Sequence, residues 1–469
     1  MGEMEKRTIL NPKKVGKSQL ELENLFRKFM VDQDRAIKHL ARRILYANSS
    51  GGRLRDARKP AGTFFYLGPT GVGKTKLVEI FAYLLFGSFD AMVKINCSEL
   101  QHSHEIARLI GSPPGYIRSD QEPWLSQRRL DYWGFVTERL DSDSGKELQT
   151  LQEKLSELEE RIKKIKDEVG TRAEASASQL EELKKFKNEV EILMRQYKKL
   201  SKKADYMPAS YPSILLFDEI EKASPALFNL LLQVHDKATL TVHGEVPDDN
   251  HEVLFHNTFI FYTSNVAQDQ IKRLIRNSKI GFASSFVSES ELDEQIYDMA
   301  LGQLEKIFSS EFLGRIRKEN IIVFSPLNKN QIREGLDRII FPDFLSRFTA
   351  SFPVTVVMTE EARGYLVAEA FDAKSKIFGM RAMESVFTKR VEEELVNLTQ
   401  KSPEEGNIIP GDEVLIDFKG TDLVFSVKER TPDQIEGAKL ADKVSKKFMD
   451  KNYNPDGRRV VAVFKVKTP

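Results

Sequence analysis

The segment Gly68-Pro-Thr-Gly-Val-Gly-Lys74-Thr75 has the residue types and spacing of a phosphate-binding loop. Its glycines allow backbone N–H groups to turn toward a phosphate at the positive end of a following helix. We expect Lys74 to neutralise β- and γ-phosphate oxygens of ATP and the Thr75 hydroxyl to bind Mg²⁺. The predicted nucleotide-binding residues of this loop are Gly68, Pro69, Thr70, Gly71, Val72, Gly73, Lys74, Thr75 and Lys76.

A pair of acids, Asp218 and Glu219, follows the apolar run Ile214-Leu-Leu-Phe. The carboxyl end of a parallel strand is where an NTPase holds its metal ion and its attacking water. We assign Asp218 to the coordination sphere of Mg²⁺ and Glu219 to the polarisation of water. An apolar run that ends in Asp-Glu is commonplace by itself, so the assignment depends on the phosphate loop.

Three short apolar runs predict the buried strands that position these residues: Ala61–Leu67, Ser213–Asp218 and Asn257–Thr263. Helical spacing separates them, between about Leu20 and Tyr46 and again from Lys76 to Phe86. Strands that alternate with helices predict an α/β fold with a parallel sheet covered by helices. After Pro326 the pattern is helical through about Leu398, and strand-like segments follow at Glu413–Asp417 and Leu423–Val427. These segments predict a smaller helical and β domain.

The stretch from Ser144 to Lys203 has a different pattern. Two apolar series, one starting at Leu148 and one at Leu183, keep the 3.5-residue period of a coiled coil, with Lys and Glu between them. Gly170 and the small residues after it offer a turn. We interpret the stretch as an antiparallel two-helix arm inserted into the ATPase domain. One long helix that dimerises between chains is the alternative.

The composition narrows the function classes. A formal net charge of +1 gives no global basic footprint for nucleic acid. One cysteine, Cys97, excludes an internal disulfide framework and fits a reducing compartment. No apolar run reaches the ~18 residues of a membrane span, and the N-terminus lacks the apolar stretch of a secretory signal. We therefore expect a cytoplasmic protein that acts without nucleic acid or membrane.

Six motifs occur in the order found in Clp-family AAA+ unfoldases, and the chain resembles the C-terminal ATPase module of the two-ring members. They are Leu67-Gly-Pro-Thr-Gly-Val-Gly-Lys-Thr75, Leu109-Ile-Gly-Ser-Pro-Pro-Gly-Tyr-Ile117, Leu216-Phe-Asp-Glu-Ile-Glu-Lys-Ala223, Thr263-Ser-Asn265, Glu311-Phe-Leu-Gly-Arg315 and Gly379-Met-Arg381. The resemblance covers roughly residues 20–425 apart from the arm. It implies a lead-in (1–20), a large domain (21–327, interrupted at 140–205), a small domain (328–428) and an extension (429–469).

The resemblance implies further roles around the nucleotide. Asn265 looks like the polar residue that orients the water. Arg315 looks like the arginine finger that reaches the γ-phosphate of the neighbouring subunit, and Arg381 like the arginine that senses nucleotide from the small domain. A surface salt bridge is the alternative for both arginines. Met30 and Val31 are expected to wall the adenine pocket, and a finger that acts on a neighbour implies a homo-oligomeric ring, a hexamer in this family.

Two more segments suggest what the ring works on. Gly115, Tyr116 and Ile117 resemble the family's pore loop, where an aromatic side chain grips polypeptide by apolar contact; a tyrosine in the core is the alternative. Ile280, Gly281 and Phe282 resemble the loop that docks a ClpP-like peptidase, with an ordinary loop around a buried phenylalanine as the alternative. The resemblance thus implies an ATP-dependent protein unfoldase, and it leaves open whether the unfoldase feeds a ClpP-like peptidase. A stand-alone disaggregase or remodeller, a motor on nucleic acid and a nucleotide-gated scaffold are the other readings.

The chain also departs from the family pattern. Asp32 stands where the family commonly has glycine, and Gly314 stands where it usually has asparagine. Since neither residue is expected to touch the reacting groups, we expect an effect on nucleotide affinity at most. After the predicted pore loop, the usual short segment is replaced by residues 118–139 and the arm.

Overall fold

The computed structural model describes residues 16–48, 56, 58–112, 121–141, 211–243, 251–271, 289–371, 379–401, 406–428 and 430. The chain divides into two compact units, with the boundary between Pro326 and Leu327. The predicted coiled-coil arm, the predicted pore loop and the predicted peptidase loop lie outside the described residues. Among the described residues, no helix is both long and apolar enough to cross a membrane.

A five-stranded sheet with the order β2-β3-β6-β1-β7 forms the centre of the first unit. Every pairing in this sheet is parallel. Its strands are β1 (Gly62–Leu67), β2 (Val93–Asn96), β3 (Ser213–Asp218), β6 (Thr258–Ser264) and β7 (Ile321–Val323). A separate antiparallel hairpin joins β4 (Thr239–Thr241) to β5 (Glu252–Leu254). The prediction of a parallel α/β sheet is therefore confirmed.

Both faces of this sheet are covered, as the continuous apolar runs predict. Phe64 and Tyr66 of β1 belong to one hydrophobic cluster, and Phe65 and Leu67 belong to a second cluster on the opposite face. Neighbouring strands alternate in the same way, since side chains along a strand point to opposite faces. All seven residues of β6 are buried, as expected for an inner strand. Burying each phenylalanine contributes roughly 1.5–3 kcal/mol to the free energy of folding.

Helices cover these two faces. They are α1 (Lys17–Phe29), α2 (Asp34–Asn48), α3 (Lys74–Phe86), α4 (Ala107–Ile110), α5 (Gln127–Asp141), α6 (Pro225–Lys237), α7 (Glu289–Ile307) and α8 (Ser310–Ile316). The helical pattern between Leu20 and Tyr46 is two helices rather than one. The break falls at residues 30–33, where Asp32 and Gln33 have φ values of 59° and 61°. Few residues other than glycine adopt such values, which gives a physical reason for a glycine at position 32 in the family pattern.

The second unit begins at Leu327 and has its own core. A three-stranded sheet of order β10-β9-β8 contains β8 (Thr355–Met358), β9 (Glu413–Lys419) and β10 (Asp422–Val427). Its helices are α9 (Lys329–Gly335), α10 (Phe341–Ser351), α11 (Glu360–Ala370), α12 (Met380–Phe387) and α13 (Glu393–Gln400), with π-helical turns joining α9 to α10 and α12 to α13. The helical pattern predicted from Pro326 through about Leu398 is interrupted by a strand, β8. Thr355 and Val357 are exposed and Val356 and Met358 buried, which is the alternation of a strand.

Candidate functional site

The predicted phosphate loop connects β1 to α3, at the carboxyl edge of the sheet. Gly73 ends the loop with a φ of 101°, and a Cβ atom built there would lie 2.7 Å from Cε of Met30. Gly68 begins it with a φ of 145°, and a Cβ atom there would lie 2.6 Å from the carbonyl oxygen of Phe324. At Gly68 a side chain would clash with backbone, and at both positions the positive φ would strain any residue other than glycine. The loop therefore requires glycine for its own shape as well as for the approach of a phosphate.

Lys74, the first residue of α3, is buried, with 7% of its surface exposed. Its Nζ donates to the carbonyl oxygens of Gly68 (2.7 Å) and Pro69 (2.6 Å) and to Oδ1 of Asn265 (2.9 Å). The carbonyl groups of Gly68 and Pro69 thus hold the ammonium group next to the start of the phosphate loop. A buried cation in the first turn of a helix, where the positive end of the helix dipole lies, suits a phosphate anion.

Asp218 and Thr75 meet at the same edge. The Thr75 hydroxyl donates to Oδ1 of Asp218 at 3.2 Å, and Nζ of Lys94 lies 3.5 Å from Oδ2. The hydroxyl of Thr263 also donates to Oδ1 of Asp218. A carboxylate and a hydroxyl side by side are the oxygen ligands that Mg²⁺ prefers, usually with phosphate and water completing the shell. The residues present therefore fit the predicted metal ion.

Glu219 follows β3 with a φ of 57° and a ψ of 50°, in the left-handed region. Its backbone N–H donates to the Thr263 hydroxyl at 3.1 Å, which fixes this conformation. Its Oε2 accepts from Lys222 at 2.5 Å and from the Ser98 hydroxyl at 3.0 Å. The hydrogen bond from Lys222 is the main reason why the pKa of Glu219 lies below its usual value. The carboxylate is therefore ionised at neutral pH.

Asn265 connects the two halves of this cluster. Its Oδ1 accepts from Lys74, and its Nδ2 donates to Oε1 of Glu219 at 3.1 Å. Its backbone N–H donates to Oε1 of Glu221 at 3.0 Å, so a second acid holds the residue in place. Lys74, Asn265 and Glu219 thus form one chain of hydrogen bonds between three parallel strands. We refer to these three residues with Thr75 and Asp218 as the edge cluster.

The other predicted nucleotide-binding residues are spread around the loop. Met30 and Val31 are buried, and Met30 lies against Gly73. The backbone N–H of Thr70 donates to Oε1 of Gln268 at 3.0 Å. Lys76 faces away from the edge cluster, since its Nζ lies 3.7 Å from Glu79 and over the ring of Phe89.

Arg315 is not part of the edge cluster. It lies at the end of α8, where Nε donates to Oδ1 of Asp236 at 2.5 Å and Nη2 to Oδ2 at 3.1 Å. It lines a cavity together with Lys59 and Thr63, which precede and begin β1. That is the amino edge of the sheet, whereas the phosphate loop leaves the carboxyl edge. In a single chain, Arg315 forms the surface ion pair that we named as its alternative.

Arg381 lies in the first turn of α12 and is exposed. It belongs to the second compact unit, whereas the edge cluster belongs to the first. The six residues of the predicted pore and peptidase loops (Gly115, Tyr116, Ile117, Ile280, Gly281 and Phe282) lie outside the described residues.

Sequence reasoning missed several residues around the edge cluster. Ser98 and Lys222 bind Glu219, Glu221 holds Asn265, and Gln268 binds the phosphate loop. Glu221 and Lys222 lie within the motif Leu216–Ala223. Their closeness to Glu219 in the sequence could have identified them as its neighbours. No signal identified Ser98 or Gln268, because the fold alone brings them close. Cys97 is buried beside these acids, and burial raises the pKa of its thiol, which makes it unreactive.

Arg317, two residues after Arg315, has a φ of 68° and a ψ of 139°. Glycine adopts this conformation easily and other residues rarely do, at a cost of roughly 1–3 kcal/mol. We expect Arg317→Gly to raise the free energy of unfolding by about 1 kcal/mol, because relief of strain exceeds the added chain entropy of glycine. Urea unfolding monitored by circular dichroism measures this change. Lys38→Gly, in the interior of α2 and 54% exposed, is the control and should destabilise. An equal loss in both variants would contradict the strain.

Comparisons with known proteins also indicate an ATPase. The family described as AAA domain (Cdc48 subfamily) matches residues 59–129 and 141–319, more than half of the chain. The ATP-dependent Clp protease ATP-binding subunit ClpC of Staphylococcus epidermidis is 28% identical over 413 residues, and that of Staphylococcus aureus is 27% identical over 415 residues. Each alignment covers 88% of this chain and 38% of the relative, so the chain spans well under half of their length.

Among solved structures, the closed state of Hsp104 with ATPγS and FITC-casein matches with a TM-score of 0.57 and 20% identity. The match covers 88% of this chain and 52% of the Hsp104 chain, and at this identity it shows the fold alone. The fold, the edge cluster and the family match agree with one another. The chain therefore belongs to the AAA domain (Cdc48 subfamily) family and is an AAA+ ATPase module of the Clp type.

Proposed function

We propose that this chain is an ATP-driven protein unfoldase that threads polypeptide through the pore of a homo-oligomeric ring. The observation that carries the proposal is the edge cluster, in which a buried lysine and an ionised glutamate are joined through Asn265. This arrangement suits the transfer of a phosphoryl group to water, because it offers a cation for the phosphates and a base for the water.

Each residue of the edge cluster has a distinct task in the proposed hydrolysis. Lys74 binds the β- and γ-phosphates after its hydrogen bonds to the loop carbonyls are exchanged. Glu219 accepts a proton from the attacking water, and Asn265 orients both groups. Thr75 and Asp218 hold Mg²⁺, which when bound neutralises charge on the phosphate oxygens.

The reaction is completed by residues outside the edge cluster. Arg315 lies at the amino edge of the sheet, so we propose that it acts on nucleotide held by a neighbouring copy. Arg381 senses the nucleotide from the second unit. These roles require a ring, and a hexamer is the number that the family resemblance implies. Met30 and Val31, buried next to the phosphate loop, contribute to the adenine pocket.

Polypeptide is the proposed substrate because of Tyr116, flanked by Gly115 and Ile117 in sequence. A tyrosine side chain offers a rigid apolar surface that binds many chains without reading their sequence. The relatives named ClpC are ATP-binding subunits of an ATP-dependent protease, and the similar Hsp104 structure contains casein. We propose a cytoplasmic setting and no nucleic-acid or membrane substrate, as the charge balance and composition suggest.

The fate of the threaded chain depends on a second protein. Ile280, Gly281 and Phe282 offer an apolar side chain next to glycine, which suits a pocket on a ClpP-like peptidase. We propose this docking as the finer form of the function. In the second form of the function, the chain acts as a stand-alone remodeller and releases its clients intact. The two forms differ only in whether this loop binds a peptidase.

A substitution at Tyr116 tests the polypeptide substrate. We expect Tyr116→Ala to slow ATP-dependent unfolding of a green fluorescent protein with an unstructured tail by ~10-fold or more, because the apolar grip is lost. Basal ATP hydrolysis should stay within about two-fold, since Tyr116 is not in the edge cluster. Loss of fluorescence measures unfolding, and Tyr116→Phe is the matched control that keeps the ring. Equal unfolding by the alanine and phenylalanine variants would contradict the proposed grip.

A further inference from the structure

A cavity of about 370 Å³ lies in the first unit, away from the edge cluster. We call it the basic cavity, because five cationic side chains line it: Arg42, Arg43, Lys59, Arg315 and Arg317. Glu319 is the one carboxylate among the lining residues. Asp236 lies next to the cavity and is bound to Arg315. Positive charge therefore exceeds negative charge around a concave space, which concentrates anions.

One face of α2 supplies much of this charge. His39, Arg42, Arg43 and Tyr46 follow one another at intervals of three, one and three residues, so they form a single stripe along the helix. All four line the basic cavity. The apolar stripe of the same helix, which includes Ile37, Leu40 and Ile44, is buried in the core. In the second stripe, His39 also packs edge-on against Phe64 of β1, whereas Arg42 and Tyr46 are exposed.

The end of α8 supplies two more cationic residues of the cavity, Arg315 and Arg317. Residues two positions apart on a helix point in different directions, so Arg315 and Arg317 would not share a cavity if the helix continued. The helix ends at Ile316, and the φ of 68° at Arg317 turns the chain so that both side chains line the basic cavity. Backbone in this conformation occurs where the surrounding structure holds it, and such places are often binding sites. The turn therefore brings Arg317 to the same cavity as Arg315, where its Nη1 lies 3.9 Å from Oε1 of Glu319 in an exposed ion pair.

Two histidines that line the basic cavity have lowered pKa values, mainly because they are buried. Burial and then the charges of Arg42 and Arg43 lower the pKa of His39, whose Nδ1 has no hydrogen-bond partner among the described residues. Burial, followed by Lys59, lowers the pKa of His235 to about 4. Both rings are neutral near pH 7. His39 therefore retains a ring nitrogen that can bind to an oxygen of a ligand when its proton lies there.

The basic cavity is separate from the nucleotide of the same chain. Thr63, which lines the cavity, and Gly68, which begins the phosphate loop, are five residues apart along β1. At ~3.3 Å per residue they are about 17 Å apart, on opposite edges of the sheet. A phosphate bound by Lys74 therefore does not fill the basic cavity of its own chain.

From this geometry we infer that the basic cavity is a second anion site, which binds an oligophosphate through Arg42 and Arg317 as well as Arg315. A guanidinium group can bind two phosphate oxygens at once, and both α2 and the end of α8 supply such groups to the cavity. The oligophosphate has two sources, a free phosphorylated molecule or the triphosphate held by a second copy of the chain. For the second source, the inference rests on the proposed role of Arg315 and adds Arg42 and Arg317 as further phosphate-binding residues. Its first test measures binding and does not depend on ATP hydrolysis.

The first test measures binding of inorganic tripolyphosphate by isothermal titration calorimetry. All proteins carry Lys74→Ala, so that the phosphate loop does not bind the probe. We expect one site per chain, weakened ~10-fold or more by Arg42→Gln combined with Arg317→Gly, because two charged hydrogen-bonding groups are lost. Glycine at position 317 removes the charge and the strain together, so the variant should fold. Lys38→Gln combined with Arg128→Gln removes two positive charges outside the cavity and should leave binding unchanged.

The second test identifies the source of the phosphate when free tripolyphosphate does not bind. The cavity variant is Arg42→Gln combined with Arg317→Gly, and the control variant is Lys38→Gln combined with Arg128→Gln. In chains with an intact Lys74, the cavity variant should then lower ATP turnover ~10-fold relative to the control variant. Bound ATP per chain and the assembly mass from analytical ultracentrifugation should stay equal in the two variants. This result assigns the site to the triphosphate of a second copy. Tripolyphosphate binding that is equal in both variants, or no binding together with equal turnover, overturns the inference.

Discussion

Replacing Glu219 by glutamine should lower ATP turnover by roughly 10²-fold or more, because a general base contributes about that factor. ATP should still bind, since Glu219→Gln leaves Lys74, Thr75 and the glycine loop unchanged. Glutamine keeps the shape of the side chain, so the hydrogen bond from Asn265 can form to its amide oxygen. The variant therefore separates binding of ATP from its hydrolysis.

Turnover of ATP is measured by phosphate release, and binding by equilibrium dialysis with labelled ATP. Lys74→Ala should instead lose binding, because the buried ammonium group that holds the phosphates is removed. Glu99→Gln is the matched control: this acid is near Ser98 in sequence and 53% exposed, and it should leave turnover within about two-fold. Turnover by Glu219→Gln close to that of the control would refute the assignment of the base.

The surroundings of Glu219 indicate when it acts. Lys222, at 2.5 Å, keeps the pKa of the carboxylate below its usual value and so makes it a weak base. The basicity of the carboxylate rises when Lys222 moves away. This is a local change, because Lys222 is only three positions after Glu219 in the sequence. Ser98 and Asn265 also donate hydrogen bonds to this carboxylate. Because these donors are neutral, they lower its pKa less than Lys222 does. In the state described here, the carboxylate that we propose as the base is therefore less basic than an ordinary glutamate.

The sequence predicted the centre of the sheet well because β1, β3 and β6 are inner strands. Both of their faces are buried, so apolar residues run without interruption and mark the strands clearly. β2 (Val93–Asn96) was missed because it alternates polar and apolar residues over four positions. β7 (Ile321–Val323) is only three residues long. Short or edge strands contain too few buried residues to give a pattern.

The edge cluster was partly predictable for the same topological reason. Parallel strands that end together bring Thr75, Asp218 and Asn265 to one edge, wherever they lie in the sequence. The hydrogen bonds of Gln268 and Ser98 depend on how loops return to that edge, and no local pattern encodes this. The backbone at Arg317 is a similar case, because arginine gives no sign of a positive φ.

Arg315→Ala should lower ATP turnover by roughly 10³-fold at chain concentrations where copies associate, because an arginine finger contributes at least that factor. Folding should be little affected, since the ion pair with Asp236 is partly exposed and screened by water. Arg128→Ala, which removes another exposed arginine, is the control and should keep its turnover. Phosphate release measures both, with analytical ultracentrifugation to verify that assembly is unchanged.

Mixing two inactive variants decides whether Arg315 acts between chains. Lys74→Ala chains keep Arg315 but do not bind ATP, and Arg315→Ala chains bind ATP but lack the finger. If Arg315 reaches a neighbour's nucleotide, mixed rings contain interfaces with an intact loop on one side and an intact finger on the other, so activity returns. If Arg315 serves its own chain, no mixed interface is complete and activity stays absent. The sheet favours recovery, because Arg315 and Lys74 lie near its opposite edges in one chain.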